Sequence, residues 1–193
     1  MLQFTDVTGL IGIASALAVT TLQLPGARRL ATVPRAVLLA AVFVLVLVPF
    51  GAMPLAAYVR GATGDLSITA VVLLWIAMLR PLIACAAKPR RVLLMLVASA
   101  AVIFYPLALG AGMADPYRIG YGEPLFVLAL LMIALIAWFR RFNLVALCIA
   151  LAMCAWVIGW YESGNLWDYL IDPFVSIYAL WKTVAGLKVR PGP

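Results

Sequence analysis

The chain contains no histidine. That absence excludes His-ligated haem, His-ligated zinc, Ser-His-Asp triads and histidine proton relays. Cysteine is scarce too. Cys85, Cys148 and Cys154 all lie in apolar stretches, and an odd number there is no disulfide framework. They read as small apolar packing residues. Charged residues make up 11 % of the chain, against about 25 % in an ordinary soluble domain. Catalytic signatures are missing as well: no G-x-x-x-x-G-K-[ST] phosphate loop, no H-E-x-x-H, no G-x-S-x-G and no C-x-x-C. No metal and no cofactor is expected.

What fills the chain is apolar surface. Some 67 % of the 193 residues are hydrophobic. A soluble domain of this size has too little core to hide that much. Lipid accepts it, so the sequence reads as a single all-α integral membrane domain. Six segments are long and apolar enough to cross about 30 Å of hydrocarbon, which takes about 20 residues. They lie near 6–24, 33–53, 66–86, 92–112, 124–139 and 143–161. Each is expected to be helical, because a lone strand leaves its backbone groups unpaired in lipid. The N-terminus has no basic stretch ahead of its apolar run, so the first segment is read as a retained helix.

The net charge of +7 comes from 14 Lys and Arg against 7 Asp and Glu. On a soluble protein it would raise nucleic-acid binding. Here the placement of the charges points elsewhere. One set of connections is purely basic: Arg28, Arg29 and Arg35; Lys88, Arg90 and Arg91; Arg140 and Arg141. Asp6, Asp65, Asp115, Glu123, Glu162, Asp168 and Asp172 all fall on the other side of the six segments. The positive-inside rule makes the basic turns cytoplasmic. The expectation is a six-helix transmembrane bundle of three hairpins in a bacterial-type cytoplasmic (inner) membrane, with its N-terminus outside. Nucleic acid is not an expected partner, since the arginines sit in tight turns beside the spans.

A last segment, 174–188, is apolar but short and carries Lys182. It is expected to be an amphipathic helix on the outer membrane surface. The alternative is a short seventh crossing. Pro49, Pro54, Pro81 and Pro106 fall within or at the ends of spans, where they adjust packing geometry.

Arg80 alone among ionisable residues lies well inside a predicted span. It is about 22 Å along its helix at about 1.5 Å per residue, close enough to the cytoplasmic side to snorkel. No Asp, Glu or His sits mid-membrane, which argues against an ion-coupled transporter and a channel.

The outer loops hold the candidate site. They read Tyr58 to Asp65, Ala114 to Pro124 and Trp160 to Pro173. Their chemistry-bearing residues are Arg60, Asp65, Asp115, Tyr117, Arg118, Glu123, Glu162, Asn165, Trp167, Asp168, Tyr169 and Asp172. Aromatic faces beside carboxylates and an amide suit a sugar or a lipid headgroup. A carboxylate pair also suits general acid–base chemistry. The structural reading of the same residues is equally concrete. Trp and Tyr anchor at interfaces. Asp65 and Glu123 can cap the helices that follow them. Arg60 and Arg118 can pair with the acids.

The expected function is therefore a non-catalytic accessory subunit or scaffold. Its partners would be the lipid bilayer and another membrane or periplasmic protein, docked through the outer rim and the C-terminal segment. The alternative is a small envelope enzyme or flippase acting on a lipid-linked or glycan substrate at the outer leaflet.

Overall fold

A computed structural model of the chain describes residues 4–79 and 87–188. Arg80, Pro81 and Cys85, on which parts of the sequence reading fall, lie outside the described residues. The fold is all-α. The helices are α1 (Phe4–Thr21), α2 (Thr32–Leu45), α3 (Leu55–Thr63), α4 (Ile68–Met78), α5 (Ala87–Ala108), α6 (Pro124–Phe139), α7 (Asn143–Val157), α8 (Leu166–Leu170) and α9 (Pro173–Lys188). Two short strands, β1 (Pro49–Phe50) and β2 (Met53–Pro54), pair antiparallel between α2 and α3.

That hairpin changes the second apolar segment. The sequence predicts one helix over 33–53, yet the helix stops at Leu45. Pro49 has no N–H to give the Leu45 carbonyl, so the ladder cannot continue there. Gly51 then turns the chain at φ 80°, a conformation costly for residues with a Cβ. The third segment, expected over 66–86, is helical only as α4, which stops at Met78, and its residues 80–86 lie outside the described residues. The helices of the remaining segments begin and end within about five residues of their sequence limits. α6 starts at Pro124, whose missing N–H costs nothing in the first turn.

The chain divides into two compact units. Among the described residues the first holds 4–66, 71–79 and 160–162. In it α1 packs against α2 and α3. Ala18, Leu22, Ala27 and Leu39 form a buried cluster, flanked by Leu38, Val42, Phe43 and Met78. The second unit holds 67–70, 87–159 and 163–188. There α5 packs along α9 and α7, and α7 also packs against α6 and α8. Leu93, Leu94, Val97, Ala98, Ala101 and Phe104 recur at helical spacing along the buried face of α5. Val175 and Ala179 of α9 are buried too, and Ala179 has no exposed surface.

Apolar side chains are nevertheless abundant outside the cores. On α6 only Leu130 and Ala137 are buried. Leu125, Leu128, Leu131, Met132, Leu135 and Ile136 stand exposed around the helix. Among the described residues one helix, Lys88–Ala108, is by length and composition long and apolar enough to cross a membrane. The other apolar helices are shorter, at 10–17 residues.

Candidate functional site

In the first unit the polar residues gather on Arg60, near the C-terminal end of α3. Its guanidinium holds Asp65 through two bonds, Nε to Oδ1 at 2.6 Å and Nη2 to Oδ2 at 3.0 Å. Nη1 donates to Asp6 Oδ1 at 2.9 Å. Glu162 approaches Nη2 at 3.6 Å and keeps most of its side chain in solvent. Such a bidentate fork is among the stronger ion-pair geometries. The hydrogen bonds to Asp65 raise the Arg60 pKa above its usual range, against the opposing pull of partial burial. Arg60 is therefore a permanent cation. Gly9 of α1 makes the cluster possible, because a Cβ there would meet Asp65 Oδ1 and Arg60 Nε. Beside it, the Thr8 hydroxyl donates to the Trp160 carbonyl at 2.6 Å.

In the second unit the segments 114–124 and 163–172 are sewn together. The Tyr117 hydroxyl donates to Asp168 Oδ2 at 2.9 Å, and the Ser163 hydroxyl donates to the same oxygen at 2.5 Å. Asn165 has no exposed surface. Its amide donates to the Tyr117 carbonyl at 2.8 Å, and its Oδ1 accepts from the Trp167 N–H at 3.0 Å, which caps α8. Trp167 Nε1 donates to the Pro116 carbonyl at 2.8 Å. The ring of Trp167 packs on Phe104 and Phe126, with centroids 4.6 and 4.7 Å apart. Tyr169, fully buried, donates its hydroxyl to the Ser163 carbonyl at 2.9 Å. Burial, and then the bond to Asp168, push the Tyr117 phenol well above its ordinary value.

Asp172 has a different task. Its Oδ2 accepts from the Ser67 N–H at 2.9 Å and the Ser67 hydroxyl at 2.6 Å, and its Oδ1 accepts from the Val175 N–H at 2.8 Å. Ser67 Oγ in turn accepts from the Ala70 N–H at 3.2 Å. One buried carboxylate thus serves the first turns of both α4 and α9, where N–H groups lack helical partners.

Three sequence expectations change. Asp65 does not cap α4: it is held by Arg60, and Ser67 takes the capping position. Glu123 makes no side-chain capping bond at the start of α6. Arg118 forms no ion pair among the described residues. Arg118 and Glu123 instead line a shallow cavity of about 440 Å³ with Ile119, Tyr121 and Gly122. Asp115 only closes a local turn, accepting from the Tyr117 N–H at 3.0 Å.

Sequence reasoning did not single out Ser67, Ser163, Gly9 or Asp6 as members of these networks. Asp6 carried one signal, its side of the charge segregation. Ser67 and Asp172 are 105 positions apart, and no local pattern links them. Among the described residues no group of three or more acids and cysteines is placed to hold a metal ion. No protein-family model, no curated protein and no solved structure matches this chain.

Proposed function

We propose that the chain is a multi-pass protein of a bacterial-type cytoplasmic membrane, acting as a non-catalytic subunit that docks a partner through its outer rim. The membrane reading is supported by α6, whose apolar side chains are exposed on most of its surface. A helix in water keeps a polar face toward solvent. It is supported also by the segregation of the seven acids from the double-arginine turns.

The observation that carries the non-catalytic reading is the closure of the polar networks on themselves. Asp65, Asp168 and Asp172 are each engaged by two or more donors. A general acid or base needs a carboxylate free to exchange its proton with a substrate. Asp115, Glu123 and Glu162, by contrast, are exposed on segments that these bonds hold rigid. Exposed charges on rigid loops suit recognition of a basic partner surface.

The position of α9 also bears on the topology. Phe104, near the far end of α5, packs on Trp167 just before α9 begins. Arg90, in the first turn of α5, donates through Nη2 to the Tyr178 hydroxyl of α9 at 2.7 Å. Those α5 positions are 14 residues apart, about 21 Å at about 1.5 Å per residue. A helix lying on the outer surface would stay near Phe104. The packing therefore favours a seventh crossing over the surface helix, with the end of α9 toward the cytoplasm.

Co-purification in mild detergent tests the docking. A companion protein should travel with the chain and be released by the triple reversal Asp115→Lys, Glu123→Lys and Glu162→Lys at unchanged abundance. A lone monomer, or a companion indifferent to the reversal, overturns it.

The rival reading, an enzyme or flippase for a lipid-linked substrate, is favoured by one feature. The cavity at Arg118 and Glu123 offers both charge signs beside Tyr121. Alanine at both positions should alter lipid or glycan profiles without lowering abundance if that reading holds.

A further inference from the structure

Helices α5 and α9 together carry five cations, Lys88, Arg90, Arg91, Lys182 and Lys188, and no acid. Arg90 of α5 is partly buried and reaches Tyr178 of α9, donating through Nη2 at 2.7 Å. Lys182 lies one turn further along α9, on the same face as Tyr178. Its ammonium sits 5.8 Å from the Tyr178 ring centroid and 4.3 Å from that of Trp181. All seven acidic side chains of the chain are among the described residues, and none forms an ion pair with Arg90 or Lys182. The Nε of Arg90 is buried and makes no hydrogen bond among the described residues. A guanidinium N–H left without a partner is costly, so an anion that reaches Arg90 beside Tyr178 would relieve that cost.

We propose that Arg90, Tyr178 and Lys182 form a binding site for a phosphate group. The chemistry follows from the donors. A guanidinium fork matches two phosphate oxygens, a lysine supplies a second point charge, and a phenol adds a neutral donor. Trp181 and Tyr178 hold the lysine through their ring faces while its head stays exposed. In the membrane reading proposed above, the site lies toward the cytoplasmic headgroups, where anionic phospholipids supply such a phosphate. The phosphate chemistry itself does not depend on that reading, and a free phosphate would use the same donors.

The test uses the full chain, stripped of lipid in a neutral detergent. Two probes are titrated separately by native mass spectrometry and thermal unfolding: dioleoyl-phosphatidylglycerol and inorganic phosphate. Phosphatidylcholine is the neutral-headgroup control. One probe or both should bind, and Lys182→Gln and Arg90→Gln should each weaken that binding about tenfold or more. Phosphatidylglycerol binding alone identifies a lipid source, and inorganic phosphate binding identifies a soluble one. Lys182 is exposed, so its variant keeps the experiment readable if Arg90→Gln unfolds the helix pair. Arg35→Gln, in a different basic turn, should leave binding unchanged. The proposal is overturned if neither probe binds, if binding survives Lys182→Gln, or if Arg35→Gln weakens it equally. None of these outcomes depends on a protein partner, so they separate from a failure of the docking reading.

Discussion

Asp172 and Ser67, 105 positions apart, are joined twice: one carboxylate oxygen takes both the backbone N–H and the hydroxyl of Ser67. The other oxygen takes the Val175 N–H. Because Asp172 is only 5 % exposed, water cannot stand in for it. Asp172→Ala should strand two buried N–H groups and cost about 3 kcal/mol. Asp172→Asn, keeping one acceptor, should cost less. Thermal unfolding of the purified variants in one detergent gives the ranking. Equal stability of all three proteins would show that this carboxylate holds nothing.

Gly9→Ala sets two effects against each other. Alanine is the better helix former by about 1 kcal/mol. Its Cβ, however, would displace the Arg60–Asp65 fork, whose charged hydrogen bonds are worth about 1.5–3 kcal/mol each. The net expectation is a loss of stability. In an Arg60→Gln background the fork is gone, and the same substitution should become neutral or stabilising. A double-mutant cycle measured by unfolding reads the coupling.

Tyr117 predicts an alkaline limit. Its folded pKa is raised by burial and by the bond to Asp168. Free tyrosine titrates near about pH 10. Above that value the unfolded chain loses the proton first, so folding loses stability as pH rises toward the higher folded pKa. Below it the contribution is fully present. Tyr117→Phe should be less stable at neutral pH and show a shallower decline above about pH 10. Parallel pH–stability curves for the two proteins would contradict the assignment.

Much of this was legible in the sequence and some was not, for identifiable reasons. α6 runs from Pro124 to Phe139, the limits set by the proline and the following arginines. The break after Leu45 was hidden because Val46 to Pro54 is apolar throughout, and hydropathy does not separate a tight hairpin from a helix. The partnership of Arg60 with Asp65 could be read from a short loop with one cation and one acid. The pairing of Asp172 with Ser67 could not, since only the tertiary fold brings them together. Asn165 reads as a polar loop residue, yet its side chain is spent on a cap and on the Tyr117 carbonyl.

The same burial alters how the topology is best measured. Asn165 is inaccessible, so a cysteine there would report on folding rather than on sidedness. Asp115 and Arg29 are exposed and belong to the acidic and the basic sets. With Cys85, Cys148 and Cys154 replaced, Asp115→Cys and Arg29→Cys should be probed with a membrane-impermeant thiol reagent on right-side-out vesicles. The account predicts labelling of Asp115→Cys in sealed vesicles and of Arg29→Cys only after permeabilisation. Labelling of both before permeabilisation, or of Arg29→Cys alone, would contradict it.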